Sequence, residues 1–107
     1  MRRVTITSRS GETLAEGTEP HEVLQLEGNW YFEPDCVNGG ALELTARTFT
    51  CPNKGVCFYV DYVGFEGRIH DVAWVYQEPK AGYKQIAGRY GFYGNDKAGT
   101  YPRVQPI

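Results

Sequence analysis

The sequence lacks the marks of several broad classes of protein. It has no apolar run near the ~20 residues that span a bilayer, and its opening segment MRRVTITSRS has no apolar core such as a signal peptide carries. It also has no basic run, and because its net charge is -2, electrostatic binding of duplex nucleic acid is not expected. These absences predict a soluble, cytoplasmic protein that binds neither membranes nor duplex nucleic acid.

Familiar metal-binding and phosphate-binding patterns are missing as well. The three cysteines stand at positions 36, 51 and 57 and the two histidines at 21 and 70, so no pair has the two-residue gap of a zinc knuckle. HExxH, the P-loop and GxGxxG are absent. We therefore predict no metal and no other cofactor. An odd number of cysteines also fits free thiols in a reducing compartment better than a disulfide framework.

Aromatic and turn-forming residues are abundant instead. The 107 residues include eight Tyr, five Phe, two Trp, thirteen Gly and six Pro. Aromatic side chains favour strands, whereas Gly and Pro favour tight turns. A chain of this length corresponds to one domain. We predict a mainly β single domain, built as a small barrel or as two packed sheets, with one short helix.

Alternation of apolar and polar residues predicts most of the strands. The clearest is 56–63, whose period of two would put Val60 and Tyr62 on one face and Cys57, Tyr59 and Asp61 on the other. The opening pair of strands surrounds a turn at SGE. The predicted strands are 4–8, 13–16, 23–26, 41–50, 56–63, 68–76 and 89–93; within 68–76 the period places Val72 on the face of Trp74 and Tyr76.

The C-terminal part of the chain is predicted to be helical and then irregular. Pro79 suits a first helical position, and Gly88 suits a helix end, so we expect about two helical turns between them. The residues that would share one helical face are Tyr83, Ile86, Ala87 and Tyr90. Residues 95–107 are expected to form a turn and a loose tail.

Cys51 is a candidate nucleophile in the loop CPNKG. The thiolate is the reactive form of cysteine, and Lys54, three residues on, could lower the pKa of the Cys51 thiol. His70 could act as a general base if hairpin pairing brought it close. The structural alternative is that Pro52 ends one strand, Gly55 permits the turn into the next, and Cys51 packs beneath that turn as a small buried thiol.

A second candidate site consists of aromatic and polar side chains that could line a ligand pocket. Tyr and Trp combine an apolar body with a polar tip and therefore suit a small organic ligand, which Lys54 or Asp71 could orient. The alternative is an aromatic core whose edge tyrosines reach water. The set comprises Asn29, Tyr31, Tyr59, Asp71, Trp74 and Tyr76.

Four segments of the chain occur in an order and spacing that resemble a known family. They are YFEPDCV at 31–37, CPNKG at 51–55, DVAWVYQEP at 71–79 and IAGRYGFY at 86–93. Together they resemble the family called domain of unknown function 427, over about residues 22–94. Asn53 departs from the family pattern, in which an aromatic residue often fills the third position of CPxKG.

The resemblance implies an all-β fold related to a tent-like arrangement of two sheets at a steep angle, and it carries no established activity. Some proteins of that architecture bind zinc through CxxC pairs, which this chain lacks. The family also carries a nucleotidyltransferase-like label. Such enzymes hold two metal ions with an Asp-x-Asp pair after a Gly-Ser turn, and neither motif is present. Candidate residues on family motif positions are Lys54, Tyr59, Asp71, Trp74 and Tyr76.

The leading hypothesis is a domain that binds a small ligand in an aromatic-lined pocket between the sheets. Tyr59, Trp74 and Tyr76 would line the pocket, and Lys54 would overhang it as an exposed group that favours an anionic ligand. One alternative is an enzyme that uses Cys51 as a nucleophile or redox thiol activated by Lys54. Another is a protein-interaction module with an exposed strand edge and surface aromatics, which could form a homodimer.

Overall fold

The computed structural model of the chain describes all of residues 1–107, which form nine strands in two antiparallel sheets. The two-sheet prediction is confirmed, and the sheets do not close into a barrel. The strands are β1 Arg2–Thr7, β2 Thr13–Thr18, β3 Val23–Leu26, β4 Asn29–Phe32, β5 Leu42–Cys51, β6 Gly55–Tyr62, β7 Ile69–Val75, β8 Tyr90–Phe92 and β9 Tyr101–Pro106.

The small sheet has the strand order β2-β1-β9. The predicted opening hairpin is confirmed, and alternation in β1 turns Val4 and Ile6 fully into the core. The prediction of a loose tail is wrong, because β9 pairs with β1 along its whole length, with Val104 opposite Val4. Pro102 and Pro106 are compatible with this strand, because Pro is tolerated in an edge strand, where one side of the backbone has no partner.

The large sheet has the strand order β3-β4-β8-β7-β6-β5. One of its faces packs on the small sheet and forms the main core, in which Phe32 and Phe92 are fully buried and meet edge to face at 5.7 Å between ring centroids. Burying a Phe side chain stabilises a fold by roughly 1.5–3 kcal/mol. The buried side chains of this main core come from both sheets and fill the space between them.

A bulge alters the predicted faces of β7. The predicted alternation put Val72 with Trp74 and Tyr76, but Val72 belongs to the main core together with Ala73 and Val75. The register of β6 and β7 shifts between Val60 and Tyr62, and Asp71 has a φ of 60°. Because a bulge inserts an extra residue, it moves the neighbouring side chain to the other face of the sheet.

The predicted two-turn helix is also wrong. The segment contains one 3₁₀ turn, Lys84–Ile86, which buries Ile86. Gly82 and Gly88 bracket this turn with φ values of 95° and 72°, in the left-handed region that does not continue a helix. A second 3₁₀ turn covers Pro34–Cys36. Both helical turns span only three residues, so neither could cross a bilayer.

Candidate functional site

The face of the large sheet that points away from the small sheet carries its own cluster of side chains, here called the aromatic face. Buried members are Tyr31, Trp74 and Tyr76, and half-buried tyrosines surround them. The register explains the grouping, since Tyr31 lies opposite Gly91, Gly91 opposite Trp74, and Trp74 opposite Tyr59. The remaining aromatic and sulfur-containing members of the cluster are Cys51, Cys57, Tyr83 and Tyr93.

Trp74 is held in one position at the centre of the aromatic face. Its indole Nε1–H donates a hydrogen bond of 3.1 Å to the Tyr31 hydroxyl. Its ring meets Tyr93 at 4.9 Å and Tyr31 at 6.1 Å between centroids, both edge to face. The arrangement requires Gly91, because a Cβ there would lie 2.5 Å from Trp74 Nε1. These contacts therefore define the orientation of the indole.

A hollow of about 160 Å³ opens on the aromatic face. An apolar cavity of about 150 Å³ is large enough to hold a benzene ring. Trp74, Tyr59 and Tyr76 line the hollow, which lies on the outer face of the large sheet rather than between the sheets. The other lining residues are Phe49, Cys57 and Tyr93.

The residues that the sequence missed in this hollow belong to three different strands or their ends. Phe49 lies in β5 directly opposite Cys57, and Tyr93 follows β8. The useful signal was period two, since Phe49 shares its face with Cys51 and Tyr93 shares its face with Gly91. That pattern, however, does not show which strands are neighbours in the sheet.

Asn29 also lies on the aromatic face, but its side chain forms a hydrogen bond with the backbone. Its side-chain Oδ1 accepts a hydrogen bond of 3.2 Å from the Gly94 N–H and so ties the end of β8 to the start of β4. Gly94 is required there, because a Cβ would overlap the Gly28 carbonyl oxygen. Asn29 therefore lies outside the hollow, which three of the six other predicted ligand-binding residues line.

Lys54 is not the exposed group that the sequence predicted. Its side chain is 14% exposed and forms an ion pair with Glu27, and its Nζ lies 5.4 Å from the centre of the Tyr83 ring. The hydrogen bond to Glu27 raises the pKa of Lys54. The Tyr83 hydroxyl donates to the same carboxylate at 3.3 Å. Lys54 is therefore a charged side chain folded against the aromatic face.

Cys51 is the last residue of β5, directly before the turn, but it is not the buried thiol that the structural alternative predicted. The backbone N–H groups of Lys54 and Asn53, together with the charge of Lys54, hold the pKa of the Cys51 thiol below its usual value. Lys54 Nζ lies 4.0 Å from Cys51 Sγ. Cys51 is only half-buried, so this environment favours a thiolate that solvent can reach.

The other two cysteines have the opposite environment. Burial raises the pKa of the Cys57 thiol, which is 3% exposed, although the Tyr76 hydroxyl lies against it and partly offsets the effect. Burial also raises the pKa of Tyr76 itself. Cys36 lies in the first 3₁₀ turn against the main core, and burial raises the pKa of its thiol too.

A cluster of charged side chains surrounds Asp61 at the far end of β6. The Asp61 carboxylate is 1% exposed and accepts hydrogen bonds from Arg47, from Arg68 at 2.8 Å, from His70 Nδ1 at 2.8 Å and from the Asp71 N–H at 3.1 Å. Burial alone would raise the pKa of Asp61, but these donors outweigh it and lower the pKa to about 2. In the sequence, Asp61 is a charged residue within the otherwise apolar run YVDYV, and this position indicates that its carboxylate needs charged partners.

Asp71 and His70 belong to this charged cluster. Asp71 accepts two hydrogen bonds from Arg47, at 3.2 Å and 3.0 Å, so its carboxylate already has a cation. The prediction that His70 could serve Cys51 as a base is wrong. Cys51 pairs with Gly55, and Asp61 stands six residues further along β6, which corresponds to about 20 Å.

No three His, Cys, Asp or Glu side chains lie close enough together to hold a metal ion. A comparison with curated proteins finds no match. A comparison with protein families matches residues 1–102 to the family described as Domain of unknown function (DUF427). The match extends beyond residues 22–94, over which the motifs gave the resemblance, and takes in β1, β2 and the start of β9 in the small sheet. Since it covers nearly the whole chain, the protein belongs to the DUF427 family.

Proposed function

We propose that the protein binds a small planar ligand in the hollow of the aromatic face. The observation that supports this proposal is a hollow lined only by aromatic side chains and a cysteine, beside an indole held in one position. Fixed aromatic side chains lose little conformational entropy when a ring stacks on them. Phe49, although apolar, is 51% exposed at the rim, and a ligand would cover it.

The charge near the hollow bears on the kind of ligand. The anionic ligand that Lys54 favoured has less support, because Glu27 already neutralises that lysine. Lys97 Nζ lies 4.7 Å from the centre of the ring of Tyr93, which lines the hollow. The proposed ligand is therefore an aromatic or heteroaromatic ring, and any anionic substituent would contact Lys97.

The two tryptophans make this proposal testable by NMR. Trp74 belongs to the aromatic face and Trp30 to the main core, so each indole N–H signal reports on one face of the large sheet. A library of planar fragments is titrated into ¹⁵N-labelled protein. We expect a binding fragment to shift the Trp74 signal and leave the Trp30 signal in place.

Variants make the test specific to the hollow. Phe49→Ala should weaken a fragment that shifts Trp74, whereas Phe65→Ala, at a position that is 86% exposed and outside the hollow, should not. Native mass spectrometry of freshly purified protein adds a second readout, namely an extra mass that is lost on denaturation. A library in which no fragment moves Trp74 separately from Trp30 would contradict the proposal.

A second candidate function is an enzyme that uses Cys51 as a nucleophile. The Lys54 ammonium group lies 4.0 Å from the half-buried sulfur, and with the neighbouring backbone N–H groups it lowers the pKa of the thiol, which supports this alternative. Iodoacetamide at neutral pH should label Cys51 in the folded protein faster than Cys36 or Cys57. If Cys51 is labelled only after unfolding, this candidate is wrong.

A further inference from the structure

We propose that Cys51 and Cys57 form a redox-active dithiol that exchanges with low-molecular-weight disulfides. The proposal deepens the second candidate function, because it rests on a nucleophilic Cys51, but it does not depend on ligand binding in the hollow.

The register of β5 and β6 brings the two thiols to one face. Phe49 lies directly opposite Cys57 and Cys51 directly opposite Gly55, so Cys51 and Cys57 are diagonal neighbours on the aromatic face. Diagonal neighbours have Cα atoms about 7–8 Å apart, with their side chains closer. Both cysteines pack in the same side-chain cluster as Tyr76, and Gly55 has no side chain that could separate them.

The environments of the two thiols differ in the way that a dithiol exchange requires. Cys51 is reachable from solvent, and backbone N–H groups and Lys54 stabilise its thiolate, so it is the attacking group. Cys57 is buried beside it and stays protonated until an adjacent sulfur becomes electrophilic. Such a pair separates the attacking role from the resolving role.

The exchange has two balanced steps. The Cys51 thiolate attacks one sulfur of a disulfide RSSR; a bond forms between Cys51 Sγ and that sulfur, the S–S bond breaks, and RS⁻ leaves. Cys57 then gives its proton to the departing RS⁻, and its sulfur attacks Cys51 Sγ, which releases the second RS⁻ to be protonated by water. The protein is oxidised by two electrons to a Cys51–Cys57 disulfide, and RSSR is reduced to two RSH.

Closure of the disulfide needs a small movement at the end of β5. Bonded cysteines usually have Cα atoms about 4.4–6.8 Å apart, so a diagonal pair must approach by roughly 1 Å. Cys51 is the last residue of β5 and is followed by the turn at 52–54, where the backbone can move. A disulfide that is strained in this way is readily reduced, which favours a reversible role over a structural one.

The experiment uses the full chain with Cys36→Ser, so that only the two proposed thiols remain. The reduced protein is incubated with glutathione disulfide, and intact masses and unreduced peptides are measured. We expect the protein to lose two hydrogens, to retain no glutathione, and to yield a peptide that joins residues 51 and 57. Adding a thiol reductant should restore the starting mass.

A matched variant separates the two steps. Cys36→Ser/Cys57→Ala should trap one glutathione on Cys51, and the unshifted Trp30 indole signal serves as the test that it folds. A stable glutathione adduct on Cys51 in the Cys36→Ser protein, with Cys57 still free, would overturn the dithiol but keep the nucleophile. No reaction at Cys51 would overturn both. Neither result affects the Trp74 test of the hollow.

Discussion

Asp61 shows how one side chain depends on partners brought from several places in the chain. Its carboxylate is buried in β6, yet all four of its hydrogen-bond donors come from β5, β7 and the turn before β7. Because the pKa of Asp61 lies at about 2 in the folded protein and near 3.8 ordinarily, the ionised form stabilises the fold.

We predict acid destabilisation at this residue. The lowered pKa means that the stabilisation is present above about pH 4 and is lost as the pH falls through the range from 3.8 to about 2. The difference corresponds to roughly 2–3 kcal/mol of unfolding free energy. Urea unfolding of wild type and Asp61→Asn at several pH values measures it. The gap between the two proteins should shrink below pH ~3, and a gap that does not vary with pH would contradict the assignment.

Gly91 provides a prediction at the centre of the aromatic face. Gly91→Ala would place a Cβ 2.5 Å from Trp74 Nε1 and 2.8 Å from Tyr31, so the indole must move. We expect a loss of about 1–3 kcal/mol of unfolding free energy and a displaced Trp74 indole N–H signal. Gly39→Ala is the control, because nothing lies within 4 Å of its added Cβ. Equal behaviour of the two variants would rule out tight packing at Gly91.

Lys54 allows a test of the Cys51 environment. Because its ammonium group lies 4.0 Å from the sulfur and helps to lower the pKa of the Cys51 thiol, Lys54→Met should raise that pKa. The rate of Cys51 alkylation at pH 7 should fall by several-fold, as the thiolate fraction drops. Lys84→Met, at an exposed lysine on the second 3₁₀ turn, should leave the rate unchanged. The pH profile of iodoacetamide labelling measures the shift.

Among the secondary-structure elements, β9 is the strand that the sequence analysis did not predict. It forms an edge of the small sheet and pairs with β1 over six residues. We predict that deletion of residues 100–107 lowers the urea midpoint strongly, because β1 loses one of its two neighbouring strands. Deletion of Ile107 alone, which is 72% exposed, should have little effect. Similar midpoints for the two truncations would mean that β9 adds no stability.

The other elements could be predicted from the sequence only where the signal comes from residues that are close together in the chain. The hairpins β1–β2 and β6–β7 could be predicted, because alternation and turn residues lie close together in the chain. The helix prediction failed, because Tyr83 and Ile86 satisfied a helical period that two left-handed glycines interrupt. Tyr83 contacts Lys54 and Ile86 joins the aromatic face, so tertiary packing accounts for both apolar positions.

At the scale of the whole molecule, the large sheet separates two chemical environments at the ends of β6. The Cys51 turn lies at one end and the charged cluster of Asp61 at the other, about 20 Å apart. We predict that the effects of Cys51→Ala and Asp61→Asn on the free energy of unfolding add within about 0.5 kcal/mol in the double variant. Urea unfolding of the two single variants and the double variant checks this. A larger coupling would mean that the two ends communicate through the sheet.

The amino-acid sequence was sufficient to predict the fold class, the family, the main hairpins and most of the aromatic residues around the hollow. These follow from period two, from turn residues and from local motifs, which act over a few neighbouring positions. Three features could be seen only in the folded structure. The hollow lies on the outer face of the large sheet, and Lys54 is paired with Glu27. Asp61 forms ion pairs with Arg47, Arg68 and His70. The reason is that strand order and bulges determine which distant side chains meet, and neither is encoded in the alternation of a single strand.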